Sequence, residues 1–257
     1  MLVSVRKVCT GAARGGVGIN MRKIKKLFEV PESYIQSVRQ YFIQDTAMAM
    51  GLFVLYCGAM AVSGLVNKYL TTIEKTVSGI IINSCFTGVV LLLLVIKKQG
   101  VETVGLKKGN RKLSLTMGIA LAAILFFCNC LSDIILEGQA FIPLKMILIY
   151  SIYYFTVGFC EEIIFRGYIL TRLYGIVRNV YIDILLSGVF FVLMHFPFRM
   201  IAYGMSFFEL AANVPYMADL FVTSLVLSFI RVKSDSLYGA IIPHWISDLS
   251  YSIVTHI

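Results

Sequence analysis

The sequence predicts an all-α, polytopic transmembrane bundle of about seven transmembrane helices, with an amphipathic segment at its N-terminus. Three observations predict it. The 257-residue chain is 58% hydrophobic and 14% charged, with a mean hydropathy of +0.83, far from a soluble globular composition. Seven apolar runs span residues 47–66, 77–96, 113–131, 144–170, 180–198, 210–230 and 237–257. Each is close to or above the roughly 20 residues that cross a hydrocarbon core of about 30 Å. Lys and Arg alternate between high and low counts from one connection to the next.

Residues 1–45 form a basic N-terminal segment. Its first twenty residues hold no sustained apolar core, so no cleavable signal is expected there. Met21-Arg22-Lys23-Ile24-Lys25-Lys26 has the look of a natural beginning, which makes residues 1–20 a candidate upstream extension. Pro31-Glu32-Ser33 resembles a helix start. Tyr34, Ile35, Val38, Tyr41 and Phe42 then recur at helical spacing among Glu32, Gln36, Arg39 and Gln40. That pattern predicts a short helix lying on the membrane surface.

Residues 46–257 are read as one bundle, because the connections are short and contain no linker, repeat or low-complexity tract. The run at 210–230 contains Asn213, Pro215 and Asp219, which predicts a kink or a late helix start. The N-terminal segment carries eight Lys and Arg, the next connection two (Lys68, Lys75) and the following one six. The positive-inside rule then puts the N-terminus in the cytoplasm. The net charge of +9 is distributed between apolar runs, which fits membrane orientation and not nucleic-acid binding. Six cysteines without a CxxC pair are expected as buried thiols, not as a disulfide framework or zinc site.

Chemistry concentrates after residue 144. Glu161-Glu162-Ile163-Ile164-Phe165-Arg166 continues directly from an apolar run. Ionisable groups at such depth are costly and tend to face an interior or a wet cavity. Glu162 and Arg166 are i and i+4, so one helical turn pairs them; Glu161 faces elsewhere and keeps its carboxylate unneutralised. Two of the three histidines also lie in apolar runs: His195, with Phe191 one turn before it, and His244, with Asp248 one turn after it. A rise of 1.5 Å per residue puts Glu161 and His195 at about 20 and 22 Å from their helix ends, and His244 and Asp248 at about 16 and 22 Å. These depths coincide only if Arg166 is itself buried. Singly, the Glu162–Arg166 pair reads as structural and each histidine as an interhelical hydrogen bonder. Together, two carboxylates and two imidazoles at one depth can activate water.

The three motifs, Glu161-Glu162-x-x-x-Arg166, Phe191-x-x-x-His195 and His244-x-x-x-Asp248, resemble those of the CAAX prenyl endoprotease and bacteriocin-processing (Abi, CPBP) family of intramembrane proteases. The resemblance covers roughly residues 144–257. It implies an endopeptidase in which Glu161, assisted by His195, is the general base for water. His244 and the residue at 248 would stabilise the oxyanion, and Glu162 with Arg166 would hold the site's shape. One departure stands out: the prenyl endoproteases usually carry Asn at the position of Asp248. An ionised Asp cannot donate to an oxyanion and would repel it, so Asp248 is read as orienting and charging His244, or as protonated. No cofactor is expected to be required; if zinc is bound, its ligands are Glu161, His195 and His244.

The leading reading is hydrolysis of membrane-associated peptide or protein substrates in the lipid bilayer of a bacterial cell membrane. The rival is a non-catalytic protein acting in bacteriocin self-immunity or regulation through a membrane partner. A small transporter is a third reading, but no inverted repeat or pair of broken helices supports it.

Overall fold

A computed structural model describes residue 26 and residues 28–107 and 110–255. The expectations about residues 1–20, and most of the basic cluster at 22–26, lie outside the described residues. The described chain is helical throughout, apart from an isolated bridge between Phe141 and Val254. A short α1 (Glu32–Val38) is followed by α2 (Ile43–Asn67), α3 (Thr72–Ile96), α4 (Arg111–Glu137), α5 (Leu144–Val177) and α6 (Val180–Tyr203). Then come a short α7 (Phe207–Ala212), α8 (Val214–Ser234) and α9 (Tyr238–Ser252).

Local chemistry sets several of these boundaries. Thr71 and Glu74 form a reciprocal capping box at the start of α3, satisfying backbone donors that the first helical turn leaves unpaired. Asn179 caps α6 by accepting from the Tyr181 and Ile182 amides. At the sixth apolar run the late start is what forms: α7 ends at Ala212, and Asn213 caps α8 by accepting from the Tyr216 amide. Pro215 falls in the first turn of α8, where its missing N–H costs nothing.

Six helices, α2 to α6 and α8, are long and apolar enough to cross a membrane. The seventh run forms a helix of 15 residues, about 22 Å long, shorter than a full hydrocarbon core. It still runs from one end of the bundle to the other. The Leu237 amide donates to Gly105 O in the α3–α4 connection, and Ile253 O accepts from the Ile142 amide beside the α4–α5 connection. Because α9 is wedged among neighbours, with Ala240, Ile241, His244 and Leu249 buried, it needs no lipid-matched length.

The interior is inverted relative to a soluble protein. Val54, Leu55, Ile73, Val95, Ile119 and Leu148 are exposed on outer faces, while Glu162, Arg166, Arg172 and Arg231 are buried. This is the arrangement expected when lipid replaces water outside. The thiols do not follow the expectation of burial uniformly. Cys130 and Cys160 are buried, Cys57 is half-buried, and Cys85 and Cys128 are exposed, because each occupies the outer face of its helix.

The middle of α5 is the core. Ile163, Ile164, Phe165, Tyr168, Ile169 and Leu170 are all buried, so this stretch is enclosed on every side. Residues Ile163–Ile169 form a widened π turn, a feature that recurs at functional sites. Beyond it, the Arg172 guanidinium stacks 4.4 Å from the Tyr41 ring and 4.2 Å from the Tyr168 ring, and donates to Gly167 O and Gln99 Oε1. The amphipathic segment does form a helix, and three of its apolar residues are buried in protein, while Ile35 is half-buried and Phe42 exposed. Tyr34, Val38 and Tyr41 pack with Leu170, Val180, Ile184 and Val232.

Two close helix approaches depend on glycine. At the α4–α9 crossing a Cβ on Gly239 would collide with the Ser114 carbonyl, while the Gly239 amide donates to Ser114 Oγ at 2.7 Å. We expect Gly239→Ala to destabilise the protein by about 1–3 kcal/mol through overpacking, read as a drop in the thermal unfolding midpoint in detergent. At Gly158 on α5, a Cβ would lie 3.1 Å from the Trp245 amide nitrogen and 3.6 Å from His244 Cβ. The missing side chain lets α9 bring His244 against α5.

Candidate active site

The site is assembled from α5, α6 and α9, with further walls from α2 and α8. On α5, Glu162 and Arg166 are fully buried, and Arg166 Nη1 donates to Glu162 Oε1 at 2.7 Å. The burial of Arg166 is the condition on which the matching depths rest. The Glu162 carboxylate has a second partner that helical spacing alone does not reveal. His244 Nδ1 lies 2.7 Å from the same Oε1, so one carboxylate oxygen joins an arginine on its own helix to an imidazole on α9.

A carboxylate oxygen accepts, so Nδ1 of His244 carries the proton in that bond. The other nitrogen, Nε2, lies 3.8 Å from Glu161 Oε2 and 3.6 Å from Asp248 Oδ2. Three carboxylates thus surround one imidazole. Asp248 is partly exposed, whereas Glu161 and His244 are both buried.

Glu161 has no arginine partner. Its nearest donor is the Tyr56 hydroxyl on α2, at 3.4 Å from Oε1, beyond ideal hydrogen-bond length. Tyr56 donates at 2.8 Å to Asn83 Oδ1 on α3, and Asn83 in turn donates to Gly79 O. Tyr56 and Asn83 escaped sequence reasoning because both belong to the half of the chain without motifs. The available signal was a buried-type polar residue, Asn83, in the middle of an apolar run.

His195 sits half-buried on α6, its Nδ1 2.8 Å from Phe191 O. A carbonyl can only accept, so Nδ1 is the protonated nitrogen and Nε2 of the neutral ring is left as an acceptor. Phe191 itself organises the centre. Its ring lies 4.2 Å from the Arg166 guanidinium, 5.1 Å from the His195 ring and 5.9 Å from the His244 ring.

Glu161, His195, His244 and Asp248 all line one cavity of about 330 Å³. The structure therefore brings together every residue that the sequence singled out: these four face the cavity, and Glu162 and Arg166 stand behind them. Arg199, Tyr216 and Asp219 line the same cavity. Of these, Tyr216 and Asp219 reach it from α8. For the zinc alternative, among the described residues no three His, Cys, Asp or Glu side chains form a metal-holding group. His244 gives Nδ1 to Glu162, which leaves Nε2 as the ring nitrogen beside Glu161 and Asp248.

Residues 143–250 match the family model described as type II CAAX prenyl endopeptidase Rce1-like. No curated protein and no solved structure matches the chain.

Proposed function

We propose that this integral, multi-pass membrane protein, residues 143–250 of which match the Rce1-like family model, hydrolyses a peptide bond in its cavity. One observation carries the reading. Glu161 and His195 line the same cavity as His244, while Oε1 of the neighbouring Glu162 is bonded to both Arg166 and His244.

In this reading Glu161 is the general base. It takes a proton from a water molecule as the water oxygen attacks the scissile carbonyl carbon, and later delivers that proton to the leaving amine nitrogen. The Nε2 acceptor of His195 accepts a hydrogen bond from the same water and aims it. His244, protonated at both nitrogens, donates from Nε2 to the developing oxyanion. Asp248, 3.6 Å from that nitrogen, favours the charged imidazole, which explains how an Asp can serve where an amide donor would otherwise be needed. Glu162 and Arg166 hold His244 in place. No step requires a metal.

The substrates are membrane-associated peptides or proteins that reach the cavity from the bilayer. The Lys and Arg distribution supports a cytoplasmic N-terminus.

The test is a cleavage assay with the full chain in lipid nanodiscs and candidate membrane peptides, with products identified by mass. We expect His195→Ala to lower the rate by about 10²-fold or more, and chelator treatment to leave it within twofold of the untreated protein. Stoichiometric zinc that disappears in His195→Ala would reverse the metal-independent reading. A biological activity kept in full by a folded, inserted Glu161→Gln protein would replace catalysis with a partner-binding role.

A further inference from the structure

The two oxygens of Glu161 face different neighbours. Oε2 lies 3.8 Å from His244 Nε2, and Oε1 lies 3.4 Å from the Tyr56 hydroxyl. Tyr56 is fully buried, its ring 4.9 Å from that of Phe86 on α3 and 6.0 Å from that of Phe165 on α5, so the hydroxyl is held in place. It has one proton to give, and two acceptors stand within reach: Glu161 Oε1 and, at 2.8 Å, Asn83 Oδ1. At equal distance the carboxylate would win that proton, because charge-assisted hydrogen bonds are the stronger ones. The distances are not equal, and only the bond to Asn83 falls in the usual O–H···O range.

Asn83 is placed to keep the proton. It is buried on α3, and its Nδ2 donates to Gly79 O one turn earlier, which leaves Oδ1 turned towards Tyr56. Both residues lie outside the stretch 143–250 that matches the family model, in the half of the chain without motifs. Their effect on Glu161 follows from elementary chemistry. A hydrogen bond donated to a carboxylate favours its charged form, and so makes it a poorer acceptor for a proton of water.

We propose that Asn83 is a positioning residue for the general base: by drawing the Tyr56 proton to itself, it leaves the Glu161 carboxylate free to take a proton from water. When Glu161 becomes protonated, the Tyr56 hydroxyl still has its acceptor, so no buried donor is stranded at either stage. This inference rests on the hydrolase reading of the cavity and gives neither Tyr56 nor Asn83 a contact with substrate. The other charged groups around Glu161, which are His244, Asp248, Arg166 and Glu162, sit on α5 and α9 and stay in place when α2 and α3 are altered.

The experiment is a double-mutant cycle on the full chain in nanodiscs, read in two ways. The first is cleavage of one membrane peptide. Asn83→Leu frees the Tyr56 proton for Glu161, and we expect kcat to fall by about tenfold or more, the scale of a hydrogen bond to a charged group, with KM changed by less than about twofold. Where Tyr56→Phe is already present, Asn83→Leu should cost less than about twofold, because no proton is left to redirect. A purely structural loss at Asn83 would persist in both backgrounds. The second readout needs no turnover. In infrared spectra without peptide, the carboxylate stretch that disappears in Glu161→Gln should move on Asn83→Leu, and should stay where it is when the same change is made on Tyr56→Phe. Asn83→Val takes the place of Asn83→Leu if the larger side chain prevents insertion. An undiminished kcat in Asn83→Leu, an equal cost in both backgrounds, or an unmoved band overturns the proposal. A band that moves as expected, in a protein whose wild type cuts no membrane peptide, would instead overturn the hydrolase reading and leave the sharing of the Tyr56 proton standing.

Discussion

Glu161→Gln is expected to lower peptide cleavage by about 10²–10⁴-fold, the range of a positioned general base, while the protein unfolds at nearly the wild-type temperature. Both halves of that expectation come from the surroundings of Glu161. The carboxylate has no arginine, and its one near donor, Tyr56, stands at 3.4 Å and is already engaged with Asn83. An amide of the same size removes the ability to take a proton without stranding a buried charge. The measurement pairs initial rates on one peptide with thermal unfolding in the same detergent. A rate within threefold of wild type would remove Glu161 from the role of base.

Arg166→Leu is expected to do the opposite and cost stability first, by about 3–5 kcal/mol, as when one member of a buried ion pair is removed. Arg166 is fully buried, donates to Glu162 at 2.7 Å and lies 4.2 Å from the Phe191 ring. Without it Glu162 retains only His244, and Phe191 loses the cation that rests on it. A strong fall in denaturant resistance is the expected readout, with activity lost as a consequence. The double change Glu162→Leu with Arg166→Leu should cost less than Arg166→Leu alone, because no orphaned charge remains inside. If the single variant unfolds like wild type, Arg166 does not carry the structural load assigned to it here.

The contrast between adjacent glutamates was legible before any coordinates, because helix geometry puts an arginine at i+4 from Glu162 and a phenylalanine, Phe165, at i+4 from Glu161. The membrane bundle was legible too, since lipid requires apolar residues in long uninterrupted stretches. Two kinds of information were not. The first was which groups meet across helices. The bond from His244 to Glu162, the Tyr56 contact with Glu161 and the place of Asp219 on the cavity wall all bring together residues far apart in sequence, and no periodicity within one helix encodes such meetings. The second was what covers the apolar face of an amphipathic helix. Tyr34, Val38 and Tyr41 carry the same pattern whether they meet lipid or, as here, the ends of α5, α6 and α8. The length of α9 falls in the same class. Its run is apolar to residue 257, but the helix ends at Ser252, where backbone bonds to the α4–α5 connection take over.

The widened turn at Ile163–Ile169 also bears on how this helix can be read and altered. Such a turn stores a surplus residue inside a continuous helix, with Thr171 Oγ1 bonding to the carbonyls of Gly167 and Tyr168 just beyond it. A helical-wheel projection drawn straight through 144–177 therefore falls out of phase at residue 163 and assigns Arg172 to the wrong azimuth. By the same geometry, deleting one residue within that turn would remove the surplus and leave both flanks in register, whereas deleting one from the regular turn that follows would swing everything beyond it by about 100° while leaving the two glutamates where they are. The segment thus behaves as a vernier between the end of the helix that carries the two glutamates and the end that anchors the N-terminal region, so each can be aligned without disturbing the other.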